Sequence, residues 1–131
     1  MLNQEMQSVD FFEYNDLYID NSSEIDLAAL AKLLGVNQKD LAKAFDITES
    51  QITRKKGTSD NKFVIQWMAV FNILTTHIQT TEPTLSKEKI RVKMSRWLKM
   101  PSIHFSNQPP LSIMLQGKTR KVLKLLEQIT S

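Results

Sequence analysis

Residues 38–56 read QKDLAKAFDITESQITRKK, and the spacing of the apolar residues within them decides the architecture. Leu41, Ala42, Phe45, Ile47 and Ile52 fall at the offsets that two short helices need where they meet at a sharp corner, the pattern of a helix-turn-helix. Ala42 must be small because the helices cross there, while Leu41, Phe45 and Ile52 fill the inside of the corner. The corner residue, Asp46, requires a left-handed backbone, which Gly prefers and Asp tolerates better than most side chains. Asn37 offers an oxygen to cap the first helix. Thr48, followed three residues later by Gln51, matches the capping box that opens the second.

Helical signals continue on both sides. Upstream, Ile25, Leu27, Ala28, Leu30, Ala31, Leu33 and Leu34 fill one broad face, with Gly35 just past the last periodic residue as a C-cap. Downstream, residues 57–60 break the chain, and residues 63–77 form a helix that is apolar nearly all round, so it must be buried on more than one side, at the domain centre or in a dimer seam. Residues 80–83 end it. A further helix over 87–99 buries Ile90, Met94, Trp97 and Leu98 and stops at Pro101, since proline disfavours helix at the residue before it. Pro109-Pro110 opens a short helix to Leu115, and after Gly117 a last helix carries Val122, Leu125, Leu126 and Ile129 on one stripe, opposite Lys118, Lys121 and Lys124. No run alternates with period two. The expectation is an all-α chain of about seven helical segments.

Charge is distributed unevenly. The 131 residues carry 17 Lys and Arg against 14 Asp and Glu, but residues 1–31 hold seven acids and no base. The remaining 100 residues hold all 17 bases and seven acids, an excess of ten positive charges, which favours polyanions and nucleic acid first among them. Residues 1–22, acidic and interleaved with Phe11, Phe12, Tyr14 and Tyr18, show no sustained period and read as a flexible arm, whose aromatics either dock on the body or on a partner chain or stay free. Folded over the basic helix, such an arm would be autoinhibitory.

Several classes of function are disfavoured. With no Cys, thiolate nucleophiles, disulfides and Cys-based zinc sites are absent. The two histidines, His77 and His104, lie 27 residues apart with no acid beside either, and no HxxxH spacing, phosphate loop or nucleophile elbow occurs. An enzyme is not expected, nor a metal or other cofactor. The longest greasy run, 63–74, covers 12 residues and is interrupted by Gln66 and Asn72, against about 20 for a membrane span. Residues 1–10 contain no Lys or Arg and no apolar core of the kind a secretion signal needs, so a cytoplasmic location is expected.

A helix-turn-helix on a basic body points to double-stranded DNA as partner, with the second helix of the corner in the major groove. Thr48, Glu49, Ser50, Gln51, Thr53 and Arg54 then form the reading surface, and Lys55, Lys56 and Lys62 neutralise phosphates.

A second series is ordered toward the C-terminus: Trp97-Leu98 and Pro101, then Pro110-Leu111 with Leu115, then Gly117, then Val122, Leu125-Leu126 and Ile129. With the upstream corner, and with Arg54-Lys55 as a basic pair late in the third helix, residues 25–131 resemble the Xre-type antitoxins of the ParS/MbcA family, which pair with RES-domain toxins. The resemblance implies a Cro-like DNA-binding region over 23–80 and a helical toxin-binding domain over 81–131. It also implies a homo-dimer or higher oligomer that represses its own operon. Family antitoxins lodge their C-terminal segment in the toxin's active-site cleft, which would place Ile129, Thr130 and Ser131, with Lys118, Arg120, Lys121 and Lys124, at the partner surface. The readings left open beside it are a stand-alone transcriptional regulator without a toxin and a protein-interaction adaptor whose helix-turn-helix is only structural.

Overall fold

In the computed structural model, which describes residues 10–55 and 57–130, the chain is mostly helical, and no β-strand is present among those residues. The helices are α1 (Phe11–Tyr14), α2 (Leu27–Leu34), α3 (Gln38–Ala44), α4 (Glu49–Thr53), α5 (Lys62–Thr81), α6 (Lys87–Lys99), α7 (Pro110–Leu115) and α8 (Thr119–Thr130). A 3-10 turn, Ile103–Phe105, separates α6 from α7.

Local chemistry sets most boundaries. The Asp26 carboxylate accepts from the Ala29 amide to start α2, and Gly35 ends it at φ 72, a left-handed cap that only glycine adopts without steric cost. Asn37 Oδ1 accepts from the Asp40 amide at 2.7 Å to start α3. Thr48 and Gln51 form the reciprocal capping box at α4. Asn61 starts α5 by accepting from the Phe63 and Val64 amides. Pro110 takes the first position of α7, where its missing N–H costs nothing.

α5 is the spine. It is longer than its apolar run suggests, and Val64, Trp67, Val70, Phe71, Leu74 and Thr75 are its buried residues. It packs against α8, α6 and α1, while α2, α3 and α4 gather at its N-terminal end, where Phe45 meets Trp67 edge to face with centroids 4.8 Å apart. One hydrophobic cluster runs from Phe11 to Leu126 through both halves of the chain.

The expected flexible arm is the main correction to the sequence reading. Residues 1–9 lie outside the described residues, but from Asp10 onward the segment is packed into the body. Phe11 and Phe12 are fully buried against Phe71, and the Phe11 amide donates to Asn72 Oδ1 at 2.6 Å. Leu17 is also buried, and Tyr18 forms an isolated antiparallel bridge with Ile25. Two buried phenylalanines, each contributing roughly 1.5–3 kcal/mol of transfer free energy, outweigh the cost of ordering a short polar stretch around them.

Candidate nucleic-acid interface

α3 and α4 are joined by a four-residue turn whose second member, Asp46, has φ 54, the left-handed backbone that the spacing called for. Leu41, Ala42, Phe45 and Ile52 are buried inside the corner, and Ile47 is half-buried. α2 packs against both α3 and α4, so α4 is held on a small helical frame with one side left free.

Two side chains remote in sequence fix that frame to α5. Asn61 caps α5 with its oxygen while its Nδ2 donates to the Phe45 carbonyl at 2.8 Å, tying the corner to the spine. Glu24 receives the Thr58 amide at 3.2 Å and the Ser59 amide at 3.0 Å, which holds the loop after α4 against the start of α2. Partial burial pushes the Glu24 carboxyl up, but hydrogen bonds from Thr58, Ser59 and Gly57 outweigh it and hold the group below its ordinary 4.5. Thr58 itself is buried, its hydroxyl accepting from the Ile25 amide at 2.6 Å. Sequence reading did not single out Asn61 or Glu24 for these roles. The signal for Asn61 was present, as an Asn directly before an apolar helix.

The residues expected to face DNA fall into three groups. Glu49, Ser50, Thr53 and Arg54 are exposed on the outer side of α4. Arg54 lies back along the helix, its Nη2 donating to Ser50 Oγ at 2.7 Å, and Thr53 Oγ1 donates to the Glu49 carbonyl. Thr48 and Gln51 serve the cap instead: Gln51 Oε1 accepts from the Thr48 amide at 2.9 Å, and Gln51 is half-buried. A Cβ at residue 57 would stand 2.7 Å from Gln51 Nε2, so Gly57, at φ 86, leaves the room that lets Gln51 turn inward. The third group is cationic. Lys55 is exposed but leans toward Asp26 at 3.7 Å, a surface pair of the kind that contributes about 0–1 kcal/mol and opens readily. Lys62 is exposed in the first turn of α5, where a cation opposes the helix dipole, and it has no ion-pair partner among the described residues. Lys56 lies outside the described residues.

The surface is not uniformly positive, since Asp46 and Glu49 are exposed beside Arg54. A carboxylate on a reading helix is chemically useful, because Glu can accept from the cytosine N4 amine in the major groove while Arg donates to guanine.

At the other end of the molecule, Val122, Leu125 and Leu126 are buried, and α8 packs on α5 and α7. Lys118, Arg120, Lys121 and Lys124 are exposed, and three of them, with His104 and Phe105, line a groove of about 410 Å³. Ile129 is 49% exposed, whereas Thr130 is half-buried with its hydroxyl donating to the Leu126 carbonyl at 2.6 Å. Ser131 lies outside the described residues. The last helix is thus part of the core as far as Leu126, with Ile129 and the cationic side exposed.

Among the described residues no group of three or more His, Asp or Glu is placed to hold a metal ion, and no helix is long and apolar enough to cross a membrane. No protein-family model, no curated protein and no solved structure matches the chain.

Proposed function

We propose that the chain is a DNA-binding antitoxin of the Xre type, without enzymatic activity, that represses its own operon and neutralises a RES-domain toxin. The observation that carries the DNA-binding part is the unobstructed outer face of α4, bearing Glu49, Ser50, Thr53 and Arg54 on a corner whose turn residue has the required left-handed backbone. In this reading α4 enters the major groove, Arg54 exchanges its hydrogen bond to Ser50 for a base edge, and Lys55 and Lys62 sit over phosphates. The bond to Ser50 is a single exposed one that water can replace, so Arg54 is free to exchange it for a bidentate base contact. The toxin would meet α8 on its cationic side, at Lys118, Arg120, Lys121 and Lys124, and at the final turn with Ile129 and Thr130.

A gel shift on the DNA upstream of the gene, together with co-purification of the product of the adjacent open reading frame, tests both halves. Binding to the upstream DNA and capture of a RES-domain protein support the proposal. Binding without capture leaves the second reading, a stand-alone transcriptional regulator, which is favoured by one observation: the apolar stripe of α8 is occupied by α5 and α7 as far as Leu126, which leaves Ile129 alone exposed on it. Capture without DNA binding leaves a protein-interaction adaptor.

A further inference from the structure

A groove of about 670 Å³ lies between α2 and α6 rather than at α4. Lys32, Arg91, Arg96 and Lys99 rim it, Leu33 and Val92 contribute its apolar floor, and no carboxylate lines it. Arg91 is paired with Glu88 at 2.9 Å, but Lys32, Arg96 and Lys99 have no ion-pair partner among the described residues. Lys99 Nζ lies over the C-terminal end of α2, where a Cβ at Gly35 would stand 3.2 Å from it. Val92 is 48% exposed on this face, with the four cations around it.

The opposite chemistry is found next door. Asn15 and Leu17 form one wall of the groove, and the same segment turns outward as a patch carrying Glu13, Asp16 and Asp20, all exposed and without cationic partners among the described residues. Ile19 is half-buried among these acids. Left-handed residues at Asp16 and Asn21, with φ 55 at each, and the Tyr18 hydroxyl bonded to Asp10 at 3.0 Å give the segment a defined shape. A cationic groove with an apolar floor and an acidic loop with an apolar side chain are complementary. Because they share the segment around residues 13–18, a two-fold axis can seat each copy's loop in the other copy's groove, as a self-complementary interface requires.

We infer that the α2–α6 groove is the dimer seam of this protein, and that its occupant is the acidic Glu13–Asp20 loop of a second copy of the chain. The inference goes beyond the DNA-binding reading and does not rest on it, since its readout is mass and not affinity for DNA. The wild-type chain should sediment at twice its 15.1 kDa mass in about 0.1 M salt and shift toward the monomer in about 1 M, where the Debye length falls from ~10 to ~3 Å. Glu13→Lys with Asp20→Lys should be monomeric, and so should Arg96→Glu with Lys99→Glu. Asp16 is left alone because its left-handed backbone suits Lys poorly. Mixing the two variants should restore the dimer mass, because one contact is then native and the other has both charges exchanged. Should either reversal unfold the chain in circular dichroism, the neutral pair Asp16→Asn with Asp20→Asn replaces it and should weaken the dimer at least tenfold. A monomeric wild type, variants that dimerise like the wild type, or a mixture that stays monomeric would each overturn the inference.

Discussion

Asn61 performs two jobs with one amide: its oxygen closes the first turn of α5 and its nitrogen holds the Phe45 carbonyl at the corner. Asn61→Ala removes a helix cap and a part-buried hydrogen bond together, so it should cost about 2 kcal/mol and lower Tm by roughly 5–10 °C, read by thermal melting. Glu24 makes the same frame sensitive to acid. Its carboxyl lies below its ordinary value in the folded chain, so the folded state binds the proton less tightly than the unfolded one. The stability this provides is fully present above the ordinary 4.5 and is lost as pH falls from there through the folded value. In acid titrations followed by circular dichroism, Glu24→Gln should be less stable than the wild type at neutral pH and should close that gap as pH falls below the ordinary 4.5. A constant gap at every pH would mean that the Glu24 charge is not what holds the loop.

At the scale of the element, legibility followed sequence distance. Gly35, Asn37 and the Thr48–Gln51 box could be read because a cap is decided within four residues, and all three act as their positions suggest. The buried corner at Leu41, Ala42, Phe45 and Ile52 was equally local. α1 was not legible, because Phe11 and Phe12 find Phe71, and the Phe11 amide finds Asn72, some 60 residues along the chain; a four-residue helix has too few turns to show a period. The half-buried position of Gln51 was not legible for a related reason: the capping box predicts its hydrogen bond, but the inward turn depends on the space left by Gly57. Since α1 belongs to the core, Phe12→Ala should destabilise the chain by about 3–5 kcal/mol in denaturant unfolding. Its partners are α5 and the start of α2 rather than α4, so deleting residues 1–22 should lower stability with no gain in DNA affinity; a rise in affinity would restore the autoinhibitory arm.

For the whole molecule, the division of charge is the organising fact. The exposed acids Glu13, Asp16 and Asp20 form their own patch beside the cations of α6, Asp26 meets Lys55 after α4, and the bases of α6 and the cationic side of α8 would draw a polyanion. The all-α architecture suits this, because short capped helices at the end of one long apolar helix leave one side of α4 exposed. Neutralising a single phosphate contact should change the salt dependence of binding without changing sequence preference, so Lys62→Ala should reduce the slope of log K against log salt by about one and weaken all duplexes alike. Replacing a base-reading residue should do the reverse. The most direct measurement is therefore a fluorescence-anisotropy titration of the upstream duplex and an unrelated duplex, over a range of salt, with wild type and Arg54→Ala. The account predicts a steep salt dependence for the wild type and a loss of roughly 1–3 kcal/mol on Arg54→Ala that is confined to the upstream duplex. Salt-independent or absent binding by the wild type, or equal affinity of the two proteins for the upstream duplex, would contradict it.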